Sequence, residues 1–413
     1  MDWADTAEQA AFREAVRTFM NERAPRRYRD QAADEWGPSP RYESWQFDLV
    51  CGDAGASTAA REWAEALAER GWGAPHWPPA YGGAGLTPVE QFILNQELAR
   101  ARLPVVGGPG VQMLGPTIMV HGTEEQKRRF LPPTLSGEMA WAQGYSEPGA
   151  GSDLASLSTR AVRDGDDYVI TGQKIWTSMG HMANWLFMLV RTDTEAPKHR
   201  GISFVLLPLD TPGVDIRPLI SAGWEHRTNE SFYDAVRVPV SHRIGEENRG
   251  WYVAMTLLDL ERSNVGGAVT QRKNVEQLVG YVGSEGGRRR SRVAEFDSVR
   301  QKIAQHYVET EVMAQFSFRI ISLQIAGQIP NYEASMASAF GSTFSQEFQQ
   351  TGIKAFGLYG TIWSDPEEPP GYAPLGGRFT QNSVDMISAS IAGGTREIQR
   401  NIVATRGLGL PRG

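Results

Sequence analysis

The feature that most constrains the fold of this chain is the spacing of its apolar residues, which changes twice. Before about Met139, apolar residues recur every three or four positions, as in residues 6–22, which is typical of amphipathic helices. From Met139 to about Ile244, short β-branched and aromatic runs alternate with turn residues, as expected for antiparallel strands. From Trp251 the helical spacing returns and continues, with breaks, to the end of the chain.

This order of elements predicts an α+β fold in which helices and strands are segregated. We expect an N-terminal helical domain over residues 1–138, a middle antiparallel β-domain over residues 139–245 and a C-terminal helical bundle over residues 246–413. Within the β-domain we predict strands at residues 185–190 and 202–208, and a hairpin turn at Thr171-Gly172. A chain of 413 residues is long enough to bury a large core in this arrangement.

Composition and charge exclude several classes of protein. The formal net charge of −7 offers no extended basic surface, so we expect no binding to nucleic acid. The one cysteine, Cys51, excludes an internal disulfide and a cysteine metal cluster, and its expected environment is buried and apolar. No apolar run approaches membrane-spanning length, and the acidic start differs from a signal peptide. We therefore expect a soluble cytoplasmic protein without a metal site.

Residues 147–153 (EPGAGSD) are the first candidate binding segment. Their glycines allow backbone N–H groups to come close to a ligand. Downstream, Trp176-Thr177-Ser178 places an indole and two hydroxyls within one short segment. By themselves, residues 147–153 are equally compatible with an ordinary loop and with a cofactor site, and the strand spacing at Trp176 favours a buried core aromatic.

Six short motifs along the chain are similar to those of the flavin-dependent acyl-CoA dehydrogenases. They stand at residues 77–83 (WPPAYGG), 121–132 (HGTEEQKRRFLP), 145–153 (YSEPGAGSD), 172–178 (GQKIWTS), 236–239 (VRVP) and 393–400 (GGTREIQR). Six motifs in the same order are far more specific than any one of them. The resemblance implies a C-terminal four-helix bundle, FAD between this bundle and the β-domain, and the acyl chain of a CoA thioester beside the flavin.

Carried over position by position, the resemblance assigns a set of residues to FAD. They are Gln143, Tyr145, Ser146, Gly151, Ser152, Trp176, Thr177, Ser178, Gly394, Thr395 and Glu397. Ser152 is also expected near the CoA arm, and Trp176 is expected to pack near the flavin ring system. The thioester oxygen is expected to accept from a backbone N–H near Gly393 and from a ribityl hydroxyl of the flavin.

Oxidation of an acyl-CoA also requires a carboxylate that removes the α proton, with a pKa raised by its surroundings. Many family members carry it immediately before Gly-Thr in the last motif, where this chain has Gly393. A second subgroup carries the glutamate on the first helix of the C-terminal bundle, and the matching residue here is Glu261. Glu261 shares a helical stripe with Ala254, Leu258 and Val265, where burial would raise its pKa. A solvated helix glutamate is the alternative.

Three further residues are assigned around this base. Asp259 and Arg262 align with positions that in the family touch the CoA arm or the base, and a plain ion pair on the helix is the alternative. Gly393 is assigned to the substrate, because the missing side chain leaves room for a bulky acyl group. Glu397 is the weaker second candidate for the base.

Two departures from the family concern the ADP half of FAD. Many members hold it from a neighbouring subunit with an Arg-x-x-Phe-Gly element and a later Gln, whereas residues 286–292 here read GGRRRSR and Lys354 precedes Phe356-Gly357. These changes resemble subunits of bacterial enzymes that dehydrogenate sterol side-chain CoA thioesters, some of which are mixed tetramers. Residues 288–290, three arginines, are either a solvated surface or a contact to a phosphate of FAD or CoA.

The predicted function is FAD-dependent α,β-dehydrogenation of an acyl-CoA to the trans-2-enoyl-CoA. The resemblance implies electron-transfer flavoprotein as the acceptor and a homo- or hetero-tetramer, at least a dimer, as the assembly. The alternatives are an acyl-CoA oxidase that uses oxygen, a non-catalytic subunit with an incomplete FAD site, and a flavin monooxygenase, against which Glu261 counts. The acyl group, whether branched, long-chain or steroid-derived, stays open at this stage.

Overall fold

The computed structural model describes residues 4–33, 45–261, 267–364 and 371–411, and of residues 33 and 259–261 it describes the backbone only. The N-terminal region is helical, as predicted. Its helices are α1 (Ala7–Arg23), α2 (Arg26–Ala33), α3 (Trp45–Val50), α4 (Ala54–Ala68), α5 (Pro88–Ala101), α6 (Gly115–His121) and α7 (Glu124–Ser136). Helix α7 begins with a capping box, in which Thr123 and Gln126 each bind the backbone N–H of the other.

Within the described residues, the middle region forms an eight-stranded sheet. Its strands are β1 (Trp141–Gly144), β2 (Arg160–Asp164), β3 (Asp167–Lys174), β4 (Trp185–Arg191), β5 (Ile202–Pro208), β6 (Val214–Ile220), β7 (His226–Pro239) and β8 (Arg243–Ile244). The order is β6-β7-β3-β2-β4-β5-β8, and β1 pairs with β4. The sheet is antiparallel except where β4 pairs with β1 and, at one position, with β2. The chain from β1 to β4 includes two other strands, so it is long enough for a parallel crossover.

The predicted hairpin at Thr171-Gly172 is wrong. Both residues lie inside β3, which runs on to Lys174 and pairs with β2 on one side and β7 on the other. Gly172 marks an irregularity in the pairing with β7, where its φ is 148° and a Cβ would lie 2.7 Å from the Cα of Thr159. A glycine within a strand-like run marks either a turn or a bulge, and only the pairing with a third strand distinguishes them.

The C-terminal region is helical, as predicted. Its helices are α8 (Gly250–Glu261), α9 (Gly267–Gly283), α10 (Glu285–Arg290), α11 (Asp297–Ile325), α12 (Tyr332–Phe356), α13 (Arg378–Asp385) and α14 (Arg396–Ile402). Among the helices that the structure describes, none is long and apolar enough to cross a membrane. Cys51, expected to be buried, is half-buried at the end of α3.

The chain divides into two compact units by its internal contacts. The first comprises Met1–Glu43, Leu86–Pro104 and Arg262–Gly413, and the second comprises Ser44–Gly85 and Val105–Glu261. In the first unit, the Glu97 carboxylate on α5 accepts from Arg13 and Arg17 on α1 at 2.7 and 2.8 Å. The same unit packs α9, α11, α12 and α13 around an apolar core.

The core of the second unit contains apolar side chains of α6, α7 and α8 together with those of β1, β4 and β5. Trp77 is fully buried in it, and its indole N–H donates to the carbonyl of Val111 at 3.0 Å. Gly115 lies against this indole, because a Cβ at Gly115 would stand 2.0 Å from the Cζ2 atom of Trp77. A side chain at Gly115 would therefore displace the tryptophan from its hydrogen bond.

We expect Gly115→Ala to lower the free energy of unfolding by about 1–3 kcal/mol, because one methyl group overpacks the space that the Trp77 ring fills. Urea unfolding of the purified protein measures the change. Gly73→Ala in the same unit is the matched control, since no atom lies within 4 Å of its added Cβ. Equal losses in the two variants would contradict the packing argument.

Candidate functional site

The structure brings the two candidate binding segments side by side. The N–H of Ile175, immediately before Trp176, donates to the carbonyl of Ser146 at 2.9 Å. The ammonium of Lys174 donates to the carbonyl of Tyr145 at 3.1 Å. Residues 145–152 and 176–178 therefore form one continuous surface, which we call the shelf.

The shelf is open on the side of its glycines and its tryptophan. Gly151, Ser152 and Ser178 are exposed, and a Cβ built at Gly149 or Gly151 would meet no atom within 4 Å. Trp176 is 60% exposed and has a φ of 61°, a left-handed conformation that costs a non-glycine residue about 1–3 kcal/mol. An exposed indole in a strained backbone conformation is not a core aromatic, so that alternative for Trp176 is wrong.

Other residues assigned to FAD lie deeper in the second unit. Tyr145 and Thr177 are buried, and Gln143 and Ser146 are half-buried. The Thr177 hydroxyl lies 3.5 Å from that of Ser231 on β7. The backbone N–H and carbonyl of Thr177 are also bonded to Asn229 on β7, so both its side chain and its backbone face that strand.

The assigned residues of the last motif belong to the first unit. Thr395 is the N-cap of α14, and its hydroxyl accepts from the N–H of Ile398 at 3.2 Å. Glu397 is exposed, and hydrogen bonds from its own N–H and from the Thr395 hydroxyl lower its pKa. A lowered pKa is the opposite of what a general base for carbon acids needs, so Glu397 is a poor second candidate.

Gly393 explains why no carboxylate precedes Gly-Thr in this chain. Its φ is 66°, a left-handed conformation in which a glutamate would be strained. No heavy atom lies within 4 Å of a Cβ built there, so the position borders open space. A glycine at position 393 adopts this left-handed conformation without strain, and its lack of a side chain leaves the adjacent space open.

A buried ion pair beneath the shelf was missed by the sequence analysis. Lys174 is fully buried, and its ammonium donates to the Glu147 carboxylate at 2.8 Å. The carboxylate also accepts from the N–H groups of Ser158 and Thr159 at 2.6 and 2.9 Å. The available signal was a charged residue within each motif, Glu147 and Lys174, but nothing in the sequence indicates that the two meet.

Charge and burial shift the pKa of both partners. Burial by itself would raise the pKa of Glu147, but the Lys174 charge and the hydrogen bonds outweigh it and lower the pKa to about 2. Burial lowers the pKa of Lys174 to about 8, with the Glu147 charge acting against this shift. Both groups are therefore ionised at neutral pH, and the pair joins the turn at Glu147 to the end of β3.

The candidate base stands at the end of α8. Val253, Ala254 and Leu257 are buried, and Leu258 packs against the same core, so this helix is anchored within the second unit. His121 Nε2 on α6 lies 2.9 Å from the Thr256 hydroxyl on α8 and adds a polar contact. Glu261 is the last residue of the helix. The side chains of 259 and 261, and all of 262, lie outside the described residues.

Three family models match the chain. The N-terminal domain of acyl-CoA dehydrogenase matches residues 51–138, the middle domain 142–236 and the C-terminal domain 248–408. This chain belongs to the acyl-CoA dehydrogenase family. It is therefore an oxidoreductase of the acyl-CoA dehydrogenase class, and this family depends on FAD. The exposed indole and the open glycine turn of the shelf fit a planar cofactor that carries phosphates.

Individual relatives agree with this assignment. Acyl-CoA dehydrogenase FadE34 of Mycobacterium tuberculosis is 38% identical over 84% of this chain, which spans only 46% of that relative. The solved structure described as "Tcur3481-Tcur3483 steroid ACAD" is 34% identical, covers 100% of both chains and superposes with a TM-score of 0.82. The ChsE4-ChsE5 complex from Mycobacterium tuberculosis is 32% identical over 100% of both chains, with a TM-score of 0.78.

We expect Glu147→Gln to lower the free energy of unfolding by about 3–5 kcal/mol, because the Lys174 ammonium would remain buried without a counter-charge. The double variant Glu147→Gln with Lys174→Met should lose less, since no charge stays buried. Urea unfolding at neutral pH compares the three proteins. A double variant less stable than Glu147→Gln would contradict this assignment.

The same pair predicts a pH dependence in acid. The pKa of Glu147 is about 2 in the folded protein, below its ordinary value of 4.5. The stability that this group contributes is therefore fully present above pH 4.5 and is lost as the pH falls toward 2. The wild type should lose stability relative to the double variant across that window, and a constant difference in unfolding free energy would contradict the shift.

Proposed function

We propose that this chain catalyses the FAD-dependent α,β-dehydrogenation of an acyl-CoA thioester to the trans-2-enoyl-CoA, with Glu261 as the general base. The observation that carries the proposal is the shelf, where an exposed indole stands beside an open glycine turn in a member of this family. When bound, FAD supplies the acceptor for the β hydrogen and its electron pair. The chain itself supplies the groups that bind, orient and deprotonate.

The division of roles follows from the residues. Trp176 and Ser178 offer an apolar face and a hydroxyl to the flavin edge, and the turn at Gly151-Ser152 offers backbone N–H groups to a phosphate. The Glu261 carboxylate takes the α proton of the thioester as the C–H electrons form the new C=C bond. In the last motif, the resemblance assigns Gly394 and Thr395 to FAD and a backbone N–H near Gly393 to the thioester oxygen.

Helical phase supports Glu261 as the base. Ala254 and Leu258 pack against the core, and position 261 follows them on α8 by seven and three residues. These spacings place all three on one stripe of the helix, whose described members are apolar. A carboxylate on such a stripe has its pKa raised by desolvation. We propose that Asp259 and Arg262 act beside it on the CoA arm.

We propose a steroid-derived acyl group as the first substrate class to test. One solved relative that covers the whole chain is described as a "steroid ACAD". The open space at Gly393 is compatible with a bulky acyl group. An anaerobic flavin-bleaching screen across straight, branched and steroid-derived CoA thioesters tests this. Bleaching by straight chains alone would contradict it.

We propose electron-transfer flavoprotein as the acceptor, with an acyl-CoA oxidase as the alternative. The two differ in what happens during turnover without an added acceptor. Hydrogen peroxide formed at the rate of enoyl-CoA formation would identify an oxidase. Turnover that needs the flavoprotein supports the dehydrogenase.

Glu261→Gln should retain FAD and lose flavin reduction by acyl-CoA by at least about 100-fold, which is the usual scale of a general base. Stopped-flow bleaching under anaerobic conditions measures the rate. Glu125→Gln, which neutralises an exposed glutamate on α7, is the matched control and should reduce the flavin at the wild-type rate. Unchanged bleaching in Glu261→Gln would move the base elsewhere.

We also propose that this chain assembles with a second type of chain. Where the family holds the ADP half of FAD with Arg-x-x-Phe-Gly, α10 here carries three arginines, of which Arg289 pairs with Glu285 on the surface. Arg290 approaches the Tyr281 hydroxyl at 3.5 Å. The two solved relatives named above are both described by a pair of protein names. A partner chain would then complete the FAD site.

The chain purified alone should therefore hold less than one FAD per chain. Flavin absorbance after denaturation gives the stoichiometry, and native mass spectrometry gives the assembly. Coexpression with the partner chain should raise the flavin content. A homotetramer with one FAD per chain would overturn the mixed assembly while leaving the proposed reaction intact.

A further inference from the structure

The shelf segment that carries Trp176 needs to be held in place. Trp176 and Met179 both have left-handed backbone conformations, with φ of 61° and 57°. Neither is a glycine, so each conformation persists only where surrounding contacts enforce it. The strain thus raises the question of which groups hold this segment.

The first residues of β7 supply backbone contacts. The N–H of Thr177 donates to the carbonyl of Asn229 at 3.0 Å, and the N–H of Asn229 donates back to the carbonyl of Thr177 at 3.1 Å. The N–H of Met179 donates to the carbonyl of Arg227 at 2.8 Å. These bonds fall on Thr177, which follows the strained Trp176, and on the strained Met179 itself.

The side chain of Asn229 adds a second contact to the same residue. It is fully buried, and its Nδ2 group donates to the carbonyl of Thr177 at 3.0 Å. Since a carbonyl only accepts, this bond fixes which end of the amide is nitrogen. The Oδ1 atom must then accept from Nε2 of His226, which lies 2.8 Å away.

His181 completes the arrangement at the nitrogen end of the amide. Its Nδ1 atom lies 3.1 Å from Nδ2 of Asn229, so it accepts and carries no proton. The His181 and His226 rings are stacked, with centroids 3.7 Å apart and planes 21° apart. Burial, and then the His226 charge, lower the pKa of His181, which agrees with a neutral acceptor.

We infer that Asn229, whose amide bonds to both His181 and His226, is a positioning residue that keeps Trp176–Met179 in the conformation that the flavin edge requires. Asn229 donates from Nδ2 to the Thr177 carbonyl and to His181, and accepts at Oδ1 from His226, so both ends of its amide are bonded and its rotamer is determined. The amide in turn fixes the carbonyl of Thr177 between the two strained residues. The flavin part of this inference rests on the proposed function, whereas the contacts do not.

One variant of Asn229 and one of Thr228 distinguish a positioning role from a general effect on stability. Asn229→Ala should speed amide hydrogen exchange at Thr177 and Met179 by about tenfold or more and weaken FAD binding to a similar degree, because the side-chain hydrogen bonds to Thr177, His181 and His226 are lost. Thr228→Ala is the matched control. It removes the neighbouring β7 side chain, whose hydroxyl donates to the carbonyl of Leu219, and should change neither quantity.

Two variants of His226 test its role as the hydrogen-bond donor to Asn229. His226→Gln keeps an N–H near the Nε2 position and should restore FAD affinity to within about twofold of the wild type, whereas His226→Leu should weaken it by about tenfold. The flavin absorption spectrum should shift in His226→Leu and match the wild type in His226→Gln. Equal behaviour of the Gln and Leu variants would overturn the role of His226.

The exchange and flavin measurements separate this inference from the proposed function. Unchanged exchange at Thr177 and Met179 in Asn229→Ala overturns the inference, whatever happens to activity. Faster exchange with unchanged FAD affinity and spectrum also overturns it, since the segment would then be irrelevant to the flavin. If no variant, including the wild type, binds FAD in any assembly, the proposed function fails and the exchange data alone decide whether Asn229 holds the segment.

Discussion

The buried ion pair between Glu147 and Lys174 is the interaction on which the candidate site depends. Each charge would be costly to bury alone, and the pair is tolerated because each group has further hydrogen-bond partners. Glu147 binds the N–H groups of Ser158 and Thr159 ahead of β2, and Lys174 binds the carbonyl of Tyr145. The pair therefore connects the glycine turn, the residues before β2 and the end of β3, and these contacts hold the shelf in place.

Above this polar layer the chain exposes what a cofactor would cover. Trp176 is open to solvent and strained, while Asn229, Ser231 and Tyr233 on the neighbouring strand β7 are buried. Tyr233 donates to the Ser231 hydroxyl at 2.8 Å, and Asn229 binds the carbonyl of Thr177. These polar groups bond to one another, whereas the indole of Trp176 stays exposed. An exposed apolar surface next to satisfied polar groups suits the binding of a planar ligand.

The helix that carries the proposed base is held mainly by apolar packing. Helix α8 is held by apolar packing of Val253, Ala254 and Leu257, so its direction is set by the core of the second unit. As proposed, a base at the end of this anchored helix would take the place of one on a loop, where Gly393 adopts a left-handed conformation that disfavours a side chain. Local features of the fold were predictable from the sequence, and contacts between distant segments were not. Helical and strand spacing are local, so the element types and the α+β order were read correctly. The hairpin predicted at Thr171-Gly172 was wrong. In the sequence alone, a glycine at a turn looks the same as a glycine at an irregularity inside a strand.

By itself, the sequence determined the family, since six motifs in order carry that information, and it determined the kinds of residue available to a flavin and a base. The tertiary structure decided which of them meet. It paired Glu147 with Lys174, exposed Trp176 while burying Thr177, and brought the stacked rings of His181 and His226 to the two ends of the Asn229 amide. The physical reason is that each of these contacts joins segments far apart in sequence, and local spacing reports the face on which a residue lies but not its partner across the fold.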